Sequence, residues 1–267
     1  MNIFTEALLN GQKLSCTVID THGHLGRYCF GIPGTDPSFI IQDMDRIGVQ
    51  SVIVSSMNCT RGDWTAVTAG NDEVYEAMTG YPGRILGYFT VIPGEETAVR
   101  AETARRMSQG FTGIKLHTAS GYKYNDPGFI PLFEEANRAS LPILYHAWGG
   151  DEMNDIRTLA EKYSNCTHIL AHGGAANPEK YIELCRAFPN IYMDTAVSSS
   201  PRGLIEQLVQ GAGANKVLWG SDVHFYSQTQ QIGKILGAAL DDETKKMILG
   251  LNAEKILGRI KNHRIGY

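Results

Sequence analysis

Histidines, a lysine and an aspartate stand at the ends of short apolar runs in this sequence, and such groups gathered in one place can bind a divalent ion and move protons. The stretch VIDTHGHLG, Val18–Gly26, sets His22 and His24 two residues apart. In an extended strand such residues share a face, so both can reach one ion without bending the backbone. Taken alone, the pair reads equally as a chelate or as a polar turn. Lys115 and His117, then His146, His172 and Asp222, close later runs of the same kind. Three or four imidazoles with one carboxylate form a nitrogen and oxygen donor set suited to zinc, with cobalt, manganese, iron or nickel as substitutes.

The apolar runs that carry these groups read as strands at 15–22, 51–57, 85–92, 112–118, 142–148, 167–173, 191–197 and 216–222. Amphipathic segments alternate with them at 39–48, 71–80, 95–109, 130–139, 153–164, 178–188, 202–211 and 228–240. Gly48, Gly80 and Gly110 each follow a helical stretch, and Pro142 and Pro189 fall in connections, as turn chemistry requires. Eight strands and eight helices are the inventory of an α/β fold of the (β/α)8 TIM-barrel type. The closing piece at 242–258 predicts one or two extra C-terminal helices, and no linker divides 1–267 into separate domains. A doubly wound open sheet would need a glycine-rich phosphate loop after its first strand; DTHGH occupies that place.

In such a barrel the active site lies at the C-terminal ends of the strands. The first strand ends with His22 and His24, the fourth with Lys115 and His117, the fifth with His146, the sixth with His172 and the eighth with Asp222. Alternation puts Gly113, Lys115 and His117 toward the barrel axis and Ile114 and Leu116 toward the helices, and gives Asp20, His22 and His24 one face. His168 shares parity with His172 but lies four residues earlier, roughly 13 Å along a strand, and is expected at the opposite end of the barrel. His168 and His263 are the two histidines that miss the mouth.

Composition narrows the class. With 267 residues, 43% hydrophobic and 19% charged, the chain is an ordinary globular one with room for a large core. A formal charge of −4 and the lack of a long basic block give no reason to expect nucleic acid or an anionic membrane surface. No apolar run reaches the length of a membrane span, and MNIFTEALLNGQ lacks the basic start and long apolar stretch of a signal peptide. The five cysteines, Cys16, Cys29, Cys59, Cys166 and Cys185, contain no C-x-x-C pair and read as reduced thiols of a cytoplasmic protein.

DTHGH, GIKLH on the fourth strand, YHAW on the fifth, LAHGG on the sixth, LWGSDVHF on the eighth and the closing NAEKILG together resemble the amidohydrolase superfamily. The likeness is to its amidohydrolase-2 branch, which includes aminocarboxymuconate-semialdehyde decarboxylase and related decarboxylases. That resemblance implies that His22, His24 and His146 bind one divalent ion, most simply Zn2+, that Asp222 completes or adjoins the shell, and that His172 is the general acid and base. A bound divalent ion brings the pKa of its water to about 7, and an imidazole titrates in the range needed to exchange protons. In binuclear relatives a lysine on the fourth strand is carboxylated and bridges two metals. Lys115 could hold a second ion in that way, although a cation contacting substrate or water is the preferred role.

Other mouth groups are candidates for substrate binding. Arg61, after the second strand, offers a planar fork for a carboxylate, with a solvated loop arginine as the alternative. His117 reads as a hydrogen-bond partner or substrate contact, His224 shares the face of Asp222, and Trp148 is the favoured pocket aromatic among Tyr28, Phe30, Trp64, Tyr122, Tyr124, Trp148, Phe225 and Tyr226. For most of these aromatics local packing or a homodimer contact is the preferred reading. Asp194 reads first as a loop cap, with orienting a ligand as the alternative, and neither Cys29 nor Cys59 is nominated as a nucleophile. The expected partner is a small molecule. The leading expectation is a metal-dependent hydrolase of a small carboxylate, lactone or amide, in which Asp222 and His172 help remove a proton from metal-bound water and His172 returns one to the leaving group. The alternative is a nonoxidative decarboxylase of a small unsaturated or aromatic acid, and a third reading is a noncatalytic metal- or ligand-binding barrel, which would have no use for the acid and base His172.

Overall fold

The computed structural model of the protein describes residues 3–10, 12–27 and 36–261. After α1 (Ile3–Asn10) the chain alternates strand and helix: β1 (Ile19–Leu25), α2 (Pro37–Ile47), β2 (Ser51–Ser56), α3 (Trp64–Gly80), β3 (Ile85–Phe89), α4 (Glu96–Ser108), β4 (Gly113–Leu116) and α5 (Ile130–Ala139). It continues through β5 (Pro142–Tyr145), α6 (Glu152–Lys162), β6 (Thr167–Leu170), α7 (Pro178–Ala187), β7 (Ile191–Asp194), α8 (Leu204–Ala212), β8 (Val217–Leu218) and α9 (Gln228–Leu236). The eight strands pair in chain order, all in parallel. This is the expected TIM barrel. Strand eight is much shorter than its apolar run suggested, and the barrel is closed by the chain that follows it: the backbone N–H of Thr21 donates to Trp219 O (3.0 Å) and that of Asp222 to His22 O (2.7 Å).

Two layers of apolar side chains hold the frame. Ile19, Ile53, Leu86, Tyr88, Leu144, Ile169, Ala171, Tyr192 and Leu218 fill the interior. The larger cluster, including Val52, Val54, Ile114, Leu116, Ile143 and Leu170, lies between strands and helices. Ile114 and Leu116 therefore face outward, as alternation predicts. The closing segment is one helical stretch interrupted by a π turn at Met247–Leu251, flanked by α10 (Asp242–Lys246) and α11 (Asn252–Leu257). Ala253, Ile256 and Leu257 of α11 plug the barrel end opposite the strand C-termini. Among the described residues no helix is long and apolar enough to cross a membrane.

Two expectations from alternation need correction. Asp20 does not share a face with His22: the β1–β2 register advances from Asp20 opposite Val52 to Gly23 opposite Val54, so β1 carries one extra residue there. That bulge rotates the strand, leaving His22 and His24 in the mouth while Asp20 reaches Gln228 on α9. Close approach explains the glycine between the histidines, since a Cβ at Gly23 would lie 2.8 Å from Val52 Cγ2. His168 begins β6 at the expected end, but it faces the helices, meeting Tyr145 Oη at 3.0 Å. His172 reaches the mouth because β6 stops at Leu170 and its own φ of 61° breaks the alternation.

Candidate active site

His22 Nε2 and His24 Nε2 lie 3.2 Å apart, and Asp222 Oδ1 lies 3.0 Å from the second and 3.6 Å from the first. One donor atom from each of these three buried residues falls within 4.8 Å of the others. Their free edges are held from behind. His22 Nδ1 donates to Asp194 Oδ2 at 2.8 Å, which fixes the tautomer and leaves Nε2 with a lone pair toward the mouth. His24 Nδ1 meets Ser55 Oγ at 3.0 Å. A hydroxyl can donate or accept, so His24 can keep its proton on Nε2, bonded to Asp222, or move it to Nδ1 and present a second lone pair. Burial drives His22 far below its ordinary range, reinforced by the Lys115 charge. Burial works against the charge of Asp222, but the His24 hydrogen bond and the neighbouring imidazoles outweigh it and hold the carboxyl well below its usual range. Imidazole nitrogens converging on an ionised carboxylate fit a divalent ion of intermediate hardness.

Lys115 sits against this cluster, its Nζ donating to His22 Nε2 at 2.9 Å. Burial lowers its pKa to about 8, with Asp222 and Asp194 opposing. His146 is placed differently: its Nδ1 meets His172 Nε2 at 3.1 Å, and its ring stacks on His117 at 3.9 Å between centroids. His172 in turn bonds through Nδ1 to the Ala196 carbonyl. A carbonyl only accepts, so Nδ1 carries the proton and the Nε2 edge faces the cluster, with the His22 ring 5.1 Å away. Both His172 and Asp222 adopt left-handed backbone conformations, φ 61° and 60°, which cost side chains of this kind about 1–3 kcal/mol each. Asp194 pins the first by accepting from the His172 backbone N–H at 2.9 Å.

The remaining candidates divide. His117 and Lys115 line a slot that runs from His24 between the loops after β2, β3 and β4. Trp148 stands at the mouth, 46% exposed, 5.2 Å from the His172 ring. His224 lines an outer cleft with Phe39, Arg46 and Tyr226 rather than the slot. Arg61 ends the 3₁₀ turn Met57–Arg61, and its side chain, like Tyr28, Cys29, Phe30 and His263, lies outside the described residues. Tyr124, buried and donating to His146 O at 2.6 Å, lines the slot with Tyr122, whereas Trp64 packs with Cys59, Val67 and Ile92. Two functional residues carry no sequence signal of their role: Ser55, which shares parity with the inward Ile53 and backs His24, and Asp20, which reaches Gln228.

Asp20 is a fully buried carboxylate that accepts from Ser221 Oγ (2.5 Å), Ser221 N (2.9 Å), Gln228 Nε2 (2.8 Å) and His22 N (3.2 Å). It joins β1, the chain after β8 and α9 at the point where Asp222 is set. Burial raises its pKa from 3.8 to about 6 against these hydrogen bonds. Between those values the folded protein binds a proton that the unfolded chain does not, so this group's contribution falls as pH rises through the window and is lost above about 6. Asp20→Asn is expected to remove about 3 kcal/mol of that pH dependence. Urea unfolding of the metal-free protein at several pH values from about 4 to about 6.5 measures it. Identical slopes for both proteins would show that Asp20 stays ionised throughout.

Barrel, mouth cluster and proton-carrying imidazole define a metal-dependent TIM-barrel class. The amidohydrolase family model matches residues 19–259, and the chain belongs to that family. Among proteins of known activity it is similar to 2-amino-3-carboxymuconate-6-semialdehyde decarboxylase of Dictyostelium discoideum, 22% identical over 278 residues covering 84% of this chain and 77% of that one. Its fold is shared by 5-carboxyvanillate decarboxylase of Novosphingobium aromaticivorans, solved with manganese and 4-hydroxy-3-methoxy-5-nitrobenzoic acid (TM-score 0.75, 17% identity, 91% of this chain and 96% of that one). It is shared too by 2,6-dihydroxybenzoate decarboxylase from Rhizobium (TM-score 0.72, 14% identity, 91% and 99%).

Proposed function

We propose that the protein is a nonoxidative decarboxylase of a small unsaturated or aromatic carboxylic acid, with one divalent ion held by His22, His24, His146 and Asp222. The observation that carries this reading is Lys115, a buried cation 2.9 Å from His22 Nε2 in a slot whose other described lining groups are hydroxyls, a thiol, apolar and aromatic side chains and imidazoles. A buried ammonium beside the metal-ligand cluster suits a substrate carboxylate. The named relatives support it further, since all three are decarboxylases. The sequence alone favours hydrolysis; these relatives favour decarboxylation.

The residues divide the work. Lys115 draws the substrate carboxylate to the mouth beside His22. His172, held through Nδ1 by Ala196 O, delivers a proton from Nε2 to the carbon that bears the carboxylate. The bond to the carboxylate then breaks, its electron pair restores the unsaturated system, carbon dioxide leaves, and His172 regains a proton from solvent. When bound, a divalent ion supplies Lewis-acid stabilisation of negative charge on a substrate oxygen. Zinc is the ion this donor set favours, manganese the first alternative, and Lys115 remains a free ammonium. The location we propose is the cytoplasm, in keeping with the free thiols Cys16, Cys59, Cys166 and Cys185.

Hydrolysis of a lactone or amide is the second reading, favoured by Asp222, whose ionised carboxylate beside His24 could take a proton from water. A panel of unsaturated and aromatic acids, lactones and amides, offered to metal-loaded protein, separates the two. Carbon dioxide release with the ring or chain retained is expected; a new carboxylate with an alcohol or amine would replace our reading by the second.

A further inference from the structure

His146 and His172 stand just past the ends of neighbouring strands, where β5 stops at Tyr145 and β6 at Leu170. Backbone pairing of the two strands reaches the Ala171 N–H, which donates to Tyr145 O at 2.9 Å. Beyond that point the chain is still buried, Ala147 and Ala171 included, and a buried carbonyl without a partner is costly. Tyr181, a buried residue of α7, meets both needs. Its Oη lies 2.7 Å from Ala147 O and 3.2 Å from Ala171 O. Burial, with Asp194 and Glu152 adding, raises the hydroxyl well above the ordinary tyrosine range, so it keeps its proton and donates. A hydroxyl has one proton, shared here between two carbonyls that only accept. One oxygen thus ties the residue after His146 to the residue before His172.

We propose that Tyr181 is a positioning residue that sets the separation of His146 and His172, and with it the place of the proton carrier beside the metal ligand. This deepens the decarboxylase reading and rests on it for the parts those two histidines play. The hydrogen bonds of Tyr181 reach neither ring; it acts through Ala147 and Ala171. His146 Nδ1 and His172 Nε2 lie 3.1 Å apart, yet the backbone of each histidine is held from its far side. The His146 N–H donates to Leu116 O of β4 at 2.9 Å, and the His172 N–H donates to Asp194 Oδ1 of β7 at 2.9 Å. Tyr124, from the loop after β4, adds a second hold on His146 through its carbonyl. Those anchors pull on opposite neighbours and do not fix the gap between the two histidines. Tyr181 spans that gap.

Tyr181→Phe removes the hydroxyl and keeps the ring. Tyr145→Phe is its control, deleting another buried tyrosine hydroxyl, one that bonds to His168 Nδ1 and to no carbonyl beside His146 or His172. Full-length protein serves for three measurements: melting without metal, metal affinity by competition with a chelator, and kcat and KM on the substrate that the panel yields, whether acid, lactone or amide. Both variants should melt below the wild type. Tyr181→Phe alone should lose about tenfold in metal affinity and about tenfold in kcat at saturating metal, with KM unchanged, the lower end of what a residue behind a ligand contributes. Unchanged metal affinity overturns the proposal. So does a fall matched in Tyr145→Phe, which would be general loosening, or a fall in affinity with kcat kept, which would place Tyr181 behind His146 alone. Chelator competition needs no turnover. The expected losses in an enzyme that cleaves lactones or amides would therefore overturn decarboxylation and leave Tyr181 its role, whereas carbon dioxide release with metal affinity unchanged in Tyr181→Phe does the reverse.

Discussion

The double variant His22→Ala/His24→Ala is expected to purify without stoichiometric metal and to lose its activity in the same measure. Two of the three donor atoms that lie within 4.8 Å of one another disappear with these side chains. Losing a residue that only orients a ligand costs about 10–100-fold in metal affinity or activity, so removing two direct donors should cost on the order of 10³-fold or more by extension of that scale. The loss should be local. The strand keeps its partner β2 and the Asp20 bonds to Ser221 and Gln228, so the metal-free variant should still unfold cooperatively. Elemental analysis, circular dichroism melting and an activity assay on one preparation check all three points. A folded, metal-free variant that turns over substrate at the wild-type rate would remove the ion from the reaction.

What made the barrel legible was repetition. Eight β-rich runs alternate with amphipathic ones, and each error at one boundary left the count intact. The mouth was legible because strands end where the fold puts chemistry, so His22, His24, Lys115, His146, His172 and Asp222 could be gathered before any contact was known. What alternation could not foresee was departure from extended geometry. The extra residue in β1 turned Asp20 away from His22, and left-handed φ values at His172 and Asp222 aimed those side chains after their strands had ended. Partners brought in from distant segments were hidden for another reason. Ser55 behind His24 and Gln228 behind Asp20 are 31 and 208 residues from the groups they hold, and single polar residues carry no pattern that announces such pairings. The tautomer of His22 depends on one of these partners, Asp194, which the sequence favours as a loop cap over a residue that orients a ligand.

Changing His172 to asparagine should separate proton transfer from metal binding. Loss of a positioned general acid or base typically costs about 10²–10⁴-fold in rate, so kcat is expected to fall by about that factor while KM and metal content change little. The pH profile carries more. Burial lowers the pKa of His172 below 6.5, Asp222 and Asp194 oppose that shift, and Lys115 adds to it. Its charged form is therefore populated only on the acid side of the ordinary histidine range. If His172 delivers a proton to carbon, it must start charged, and kcat/KM should fall as pH rises through its pKa. Were it instead to take a proton from water in a hydrolysis, it must start neutral, and kcat/KM should rise through the same region. The asparagine variant should lose whichever limb the wild type shows. Asp222, held ionised through the same range by His24 and its neighbours, adds no limb there. A falling limb that vanishes in His172→Asn thus supports decarboxylation from the direction of one proton's movement; a rising limb that vanishes would transfer the assignment to hydrolysis, and a profile unaltered by the substitution would take His172 out of the proton transfer.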